Sequence, residues 1–204
     1  MRLLFALLLL GCASPAQAAP RPGDLVFHES RSAQSAIIAE VTGSRWTHVG
    51  VVFERRGELW VLEAVEPVRW TRFDRWRERG AGGDYEVRRP RRALSAADLR
   101  RLRRAGERHL GRRYDARFEW SDRRMYCSEL AWKMYARALH IELVPPARWS
   151  DFDLGPAAIA LARRRLGRLP APDALVVTPR ALLDSPHLFE PEASTSSTAP
   201  ASTR

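Results

Sequence analysis

The sequence predicts an α+β domain, an antiparallel sheet packed against helices, on three observations. Residues 47–54 (THVGVVFE) and 59–65 (LWVLEAV) are β-branched and aromatic runs flanking Arg55-Arg56-Gly57-Glu58, the pattern of a hairpin. The period then changes: Ser95-Ala96-Ala97-Asp98 has the form of a helix-capping box, and residues 127–139 carry Leu130, Met134 and Ala138 at helical spacing. At 204 residues the chain suffices for one buried core and is too short for two ordinary domains.

Residues 1–18 combine Arg2, an apolar run from Leu3 to Leu10 and the small-residue site Ala16-Gln17-Ala18, the composition of a secretory signal peptide. Leu9-Leu10-Gly11-Cys12 also resembles a lipobox, in which Cys12 becomes the lipidated first residue of an outer-membrane lipoprotein. Cleavage after Ala18 is preferred, because cleavage at Cys12 leaves an unusually short leader. Both readings export the protein, to the periplasm or beyond. The apolar run is too short to span a bilayer, and no other segment approaches that length.

The folded domain is expected over residues 20–189. Arg21-Pro22-Gly23-Asp24 is turn-like and leads into a strand at 25–28. Residues 32–41, with Ala36, Ile37 and Val41 apolar, suit a helix closed by Thr42-Gly43. After the hairpin, 85–88 reads as a strand. A helix from 95 to about 110 is expected to turn Leu99, Leu102 and Leu110 inward and Arg100, Arg101, Arg103, Arg104 and Arg108 outward, with Gly111 ending it. Further helix is expected at 127–139 and 156–166 and a short strand at 174–177. Thr178-Pro179 reads as the cap and first position of a last helical turn. From about residue 190 the chain is Pro, Ser, Thr and Ala, and a disordered tail is predicted.

Net charge is +10, yet Lys133 is the only lysine among 34 basic residues, leaving 33 arginines. With abundant Ala, Leu and Pro, that skew points to codon usage in a GC-rich genome rather than phosphate contacts. A solvated basic surface is the favoured reading, with weak attraction to an anionic envelope surface and no nucleic-acid partner expected. No metal-ligand spacing, phosphate loop or dinucleotide fingerprint is present, so no cofactor is expected.

Once Cys12 is removed or lipidated, Cys127 is the one free thiol of an exported chain, where an unpaired cysteine is a liability. It falls at the start of its helix, where a thiolate is stabilised by the backbone N–H groups and the helix dipole. The bland alternative is a small buried apolar side chain. Five histidines are candidate bases: His28, His48, His109, His140 and His187. His109 and His140 lie near helix ends, His187 near the tail, and His28 closes a strand. Only His48 begins a β run among small and apolar neighbours, with open backbone space at Gly50, and position alone leaves it balanced against a structural histidine.

A base needs a third group to fix its tautomer, and Glu63 offers one through sheet geometry. A four-residue loop from Glu54 to Gly57 pairs His48 with Glu63 directly, Cβ atoms ~5 Å apart; a two-residue loop makes them diagonal neighbours at ~7 Å. A three-residue loop puts them on opposite faces.

The ordered motifs Gly23-Asp24-Leu25-Val26-Phe27, Trp46-Thr47-His48-Val49-Gly50, Leu62-Glu63-Ala64, Gly111-Arg112-Arg113-Tyr114-Asp115 and Tyr126-Cys127-Ser128-Glu129-Leu130 resemble the YiiX-like branch of the NlpC papain-like superfamily. That branch is circularly permuted, with histidine ahead of cysteine, and the resemblance spans about residues 22–187. It implies a papain-like fold, Cys127 as nucleophile, His48 as base, Glu63 as the residue orienting His48, and Tyr114 as part of the oxyanion or substrate-binding site. Non-permuted members carry Asp-Cys-Ser-Gly at the nucleophile, and Tyr126-Cys127-Ser128-Glu129 departs from it, which argues against copying their cell-wall specificity.

The expected function is amide hydrolysis on a peptide or cell-wall peptide through a thiol, with lipid acyl hydrolysis or transfer as the second substrate class. A non-catalytic basic binding protein, in which Cys127 only packs, is the alternative from another class. Tyr126, Ser128 and Glu129 are accounted for equally by packing, capping and the helix dipole, and Trp46 and Trp120 by a core or groove wall.

Overall fold

Alternate residues of the central strands belong to two separate cores, and that alternation sets the architecture. The computed structural model describes residues 17–32, 34–167 and 169–192. Cys12 and most of the leader read at 1–18, and the tail beyond Glu192, lie outside the described residues. The chain runs β1 (Leu25–His28), α1 (Ser35–Thr42), β2 (His48–Arg55), β3 (Glu58–Glu63), β4 (Arg69–Arg72), α2 (Phe73–Arg79), β5 (Glu86–Pro90) and α3 (Ala96–Glu107). It continues with β6 (Arg113–Tyr114), β7 (Arg124–Met125), α4 (Cys127–Leu139), β8 (Ala147–Arg148), α5 (Pro156–Leu166), β9 (Leu175–Val176), α6 (Pro179–Leu183) and β10 (Leu188–Phe189).

Six strands form one antiparallel sheet in the order β10-β5-β1-β2-β3-β4. Leu25, Phe27, Val49, Val51, Phe53 and Leu62 point to one face and meet Leu102 of α3 and Leu130 and Met134 of α4 in the larger core. Val26, Val52, Val61 and Val87 point to the other, where Trp76 of α2 covers them. The period-2 alternation of β1 and β2 therefore serves two buried faces at once, as expected of central strands.

The hairpin closes through a two-residue turn. Arg55 pairs with Glu58, and Arg56 and Gly57 between them have φ of 53° and 78°. Two successive left-handed residues are the geometry of a type I′ turn, whose twist matches the strands it joins. Gly57 takes that conformation freely, and Arg56 bears the strain.

β1, α4 and α5 have the bounds read from the sequence, and α1 ends on Gly43 at φ 60°. Thr178 caps α6 by accepting from the Ala181 N–H at 3.1 Å. Two expectations need correction. α3 ends at Glu107, three residues early, so Leu110 leaves the helical period and is exposed rather than inward. β4 and α2 were not expected: residues 69–79 (RWTRFDRWRER) have too few apolar positions to declare a period, and Trp76 alone supplies the buried anchor.

Candidate active site

Cys127 opens α4, and both of its neighbours are tied to the segment after β9. The Val177 N–H donates to Tyr126 Oη at 3.2 Å, and Ser128 Oγ donates to the Val177 carbonyl at 2.7 Å. Glu129 Oε2 accepts the Tyr126 N–H at 3.2 Å, reaching back as a third-position capping acid does. The thiol is thereby fixed at a buried helix N-terminus, and it is the one free cysteine among the described residues.

His48 is the first residue of β2 and lies opposite His28 across the β1–β2 ladder. Its Nε2 is 2.6 Å from Glu63 Oε2. The imidazole also interacts with the Cys127 thiol, each shifting the other toward its charged form. The two-residue turn makes Glu63 the diagonal neighbour of His48 on the same face, the second of the two loop geometries that allow contact. Gly50 lies between them in register, and its space is not open. A Cβ there would strike Val61 Cγ1 and sit 3.3 Å from Glu63 Cβ. The glycine lets the Glu63 side chain lie across β2 toward the imidazole.

Glu63 is completely buried, and three donors hold it: His48, Thr71 Oγ1 on Oε1 at 2.6 Å, and Arg79 Nη2 on Oε2. Neither Thr71 nor Arg79 was singled out from the sequence, because each lies in the stretch that forms β4 and α2. Burial would raise the Glu63 carboxyl, but the hydrogen bond and charge of His48 and the charge of Arg79 outweigh it and bring it down to about 2. Burial would likewise lower His48, yet its bonds to Cys127 and Glu63 raise it to about 9. Against the upward push of burial, the hydrogen bond and charge of His48 and the N–H groups of Val49 and Ser128 lower the thiol. The favoured state is a thiolate–imidazolium pair backed by an ionised carboxylate.

Tyr114 reaches the same centre through β6, which pairs parallel with β7 immediately before Cys127. Its phenol is held well above the usual tyrosine range, first by burial and then by the charge and hydrogen bond of Cys127. A protonated hydroxyl therefore stands beside the sulfur. All four residues named from the sequence, Cys127, His48, Glu63 and Tyr114, converge in one place. His28 adds a second ring, 4.9 Å from that of His48 and stacked on Trp76 at 4.2 Å. Burial and the neighbouring charges of His48 and Arg79 lower it to about 3, so it stays neutral. His109 and His140 line a groove between the ends of α3 and α4, and His187 is exposed near β10. Among the described residues no group of three His, Cys, Asp or Glu side chains is arranged to hold a metal ion.

Comparison with known proteins agrees with this arrangement of elements. The chain is 38% identical over 170 residues to the protein YiiX of Escherichia coli (strain K12), covering 83% of this chain and 84% of that one. It superposes with a TM-score of 0.81 and 37% identity on the crystal structure of the metalloprotein YiiX from Escherichia coli O157:H7, covering 85% of this chain and 97% of the other. A family described as permuted papain-like amidase enzymes, YaeF/YiiX, C92, matches residues 19–189. With nearly the whole described chain inside that match, the protein belongs to the permuted papain-like amidase family of YaeF and YiiX.

Proposed function

We propose that the protein is an exported cysteine amidase in which Cys127 is the nucleophile, His48 the acid and base, Glu63 the residue that orients His48, and Tyr114 an oxyanion donor. The observation that carries this reading is the buried contact of His48 Nε2 with the Glu63 carboxylate, on an imidazole whose other partner is the Cys127 thiol. Sulfur at the N-terminus of a helix, an imidazole raised by two anionic partners and a carboxylate fixing its Nε2 hydrogen are what thiol acyl transfer requires.

In the reaction, the Cys127 thiolate adds to the amide carbonyl. The oxygen that gains charge is met by the Tyr114 hydroxyl and by backbone N–H groups at the start of α4. His48 gives its proton to the departing nitrogen. Water, deprotonated by the now neutral His48, then releases the acyl group as a carboxylate and restores the thiolate. Glu63 holds the ring in one tautomer throughout and stabilises its positive charge.

The O157:H7 relative is a metalloprotein by name, but a metal ion does not fit at the Glu63 carboxylate of this chain. Both Glu63 oxygens are already taken, and the Arg79 cation on Oε2 opposes a second cation.

A thiol-directed activity probe is expected to label Cys127 in the native protein, and Cys127→Ala and His48→Ala to abolish labelling and amide hydrolysis. Glu63→Gln is expected to keep partial activity, and Glu63→Ala to lose about a hundredfold, within the usual range for acid–base groups. Wild-type rates in both Glu63 variants would remove it from the site, and an unreactive Cys127 would overturn the reading. Export rests on the leader composition, and mass spectrometry of the mature N-terminus tests it. A terminus at Ala19 or a lipidated Cys12 is the supporting result, and an intact Met1 the contrary one.

A further inference from the structure

We propose that the groove where α3 meets the end of α4 is a binding site for a phosphate monoester group. Arg101 and Arg104 of α3 and its C-cap Arg108 line it together with His109, Arg137 and His140. It contains about 1050 Å³ of atom-free space continuous with solvent. The groove stands apart from the thiol, because Cys127 and Leu139 are opposite ends of α4, ~18 Å apart at the rise of an α-helix.

An arginine-rich composition by itself favours a solvated surface, and this groove departs from that in its charge balance. Among the described residues no acidic side chain lines it. Arg101 is paired with Asp98 and Arg137 with Asp122, and the nearby Glu107 is taken by Arg103. Arg104 and Arg108 are left without an acidic partner among the described residues, and both are exposed. Arg101, Arg104 and Arg108 are three and four residues apart on one face, a spacing at which like charges repel. A helix dipole favours a cation at each helix end, but it does not require the cations of two helices to share one groove. An anion seated among them offsets the repulsion.

His109 adds an independent observation. It is 7% exposed in the groove wall, and its Nδ1 has no hydrogen-bond partner among the described residues. The chain thus leaves a hydrogen-bonding group unsatisfied beside two unpaired guanidiniums. Burial lowers the pKa of the ring, and the charges of Arg137 and Lys133 add to this against the pull of Asp122, so the ring is neutral and the arginines supply the charge. Guanidinium groups present paired N–H donors that match phosphate oxygens. A phosphate monoester carries about −1.5 to −2 charge at pH 7, which balances two guanidiniums, whereas a diester or a carboxylate leaves one of them unpaired. A soluble phosphate ester and a monoester headgroup on a lipid surface present this same group.

Calorimetric titration of the full chain with glycerol 3-phosphate, and flotation with phosphatidylcholine vesicles with and without phosphatidic acid, separate these two sources. Arg104→Gln combined with Arg108→Gln is expected to weaken binding about tenfold or more, the loss that goes with charge-assisted hydrogen bonds. Arg75→Gln combined with Arg77→Gln removes the same charge from exposed positions of α2 and is expected to leave the affinity within about twofold, as for surface charges outside a site. Dimethyl phosphate is expected to bind more weakly than glycerol 3-phosphate, and the ring nitrogen resonances of His109 to shift with ligand while those of His187 stay in place. Binding of glycerol 3-phosphate alone assigns a soluble ester and binding of the phosphatidic acid vesicles alone a membrane-borne one, and both uphold the site. Failure of both, equal weakening in the two double variants, or equal affinity for dimethyl phosphate overturns it.

Discussion

Arg79 donates from Nη2 to Glu63 Oε2, the same carboxylate oxygen that receives Nε2 of His48. One anion is thus shared by two cations, and the arginine comes from α2 on the sheet face opposite α4. With Glu63 fully buried, Arg79 compensates the carboxylate independently of the protonation state of His48.

Arg79→Met should therefore impair catalysis without touching the sulfur. A hydrogen bond to a charged group contributes about 1.5–3 kcal/mol, so kcat/KM is expected to fall at least about tenfold, with Arg79→Lys recovering part of it. Glu63, held at about 2, contributes stability that is present above its unfolded value and is lost as pH falls through about 2. Without Arg79 that loss begins at higher pH. An acid-unfolding midpoint unchanged in Arg79→Met would show that His48 and Thr71 suffice.

The thiolate–imidazolium pair has a two-sided pH signature. In the proposed mechanism hydrolysis uses the His48 proton, which leaves as pH rises through about 9, so kcat/KM should decline there. Alkylation of Cys127 by iodoacetamide needs only the thiolate and should hold its plateau. The two profiles are expected to part above pH 9. In His48→Ala, burial acts on the thiol without its cation, and the alkylation inflection should move above the ordinary thiol value of about 8.5. Superimposable profiles would rule out His48 as the proton donor.

Residues with strong local signals were legible before the structure. Cys127 declares itself by helix position and cysteine count, and the hairpin runs around Arg56-Gly57 restrict Glu63 to the face of His48 whenever the loop is even. What was not legible depends on tertiary contacts. Arg79 is one of five arginines between residues 69 and 79, and nothing local distinguishes the one that turns inward. His28 closes its strand in sequence, but its stack on Trp76 arises only once α2 folds over the sheet. Leu110 looked periodic because the pattern of α3 runs past the point where the helix stops.

Gly50 is the residue whose role the structure reverses, from open space to occupied space. Gly50→Ala places a methyl group against Val61 and Glu63 inside a packed sheet face. Overpacking of this kind costs about 1–3 kcal/mol, and relief by moving Glu63 would lengthen its 2.6 Å contact with His48. Denaturant unfolding and kcat/KM are both expected to fall, and restoration of both by a companion Val61→Ala would identify the crowding as the cause. Unchanged activity in Gly50→Ala would mean that Glu63 need not cross the strand at that point.

The only lysine supports the start of α4 from behind. Lys133 Nζ, nearly enclosed, donates to Glu129 Oε1 at 2.6 Å, Asp122 Oδ1 at 2.9 Å and the Ser121 carbonyl at 3.1 Å. The other Glu129 oxygen holds the Tyr126 N–H one residue before Cys127. Burial raises Glu129 to about 7 against the pull of Lys133, so its ionisation lowers stability as pH rises from its unfolded value through about 7. Lys133→Met removes the cation and lifts Glu129 further. The variant should lose about 3 kcal/mol at pH 8, where a buried carboxylate is left unpaired, and distinctly less at pH 5, where protonation relieves it. Adding Glu129→Gln should recover much of the loss at pH 8 while retaining an acceptor for the Tyr126 N–H. Equal losses at both pH values would mean that Lys133 contributes through packing on Trp120, whose ring it faces at 5.2 Å, rather than through charge.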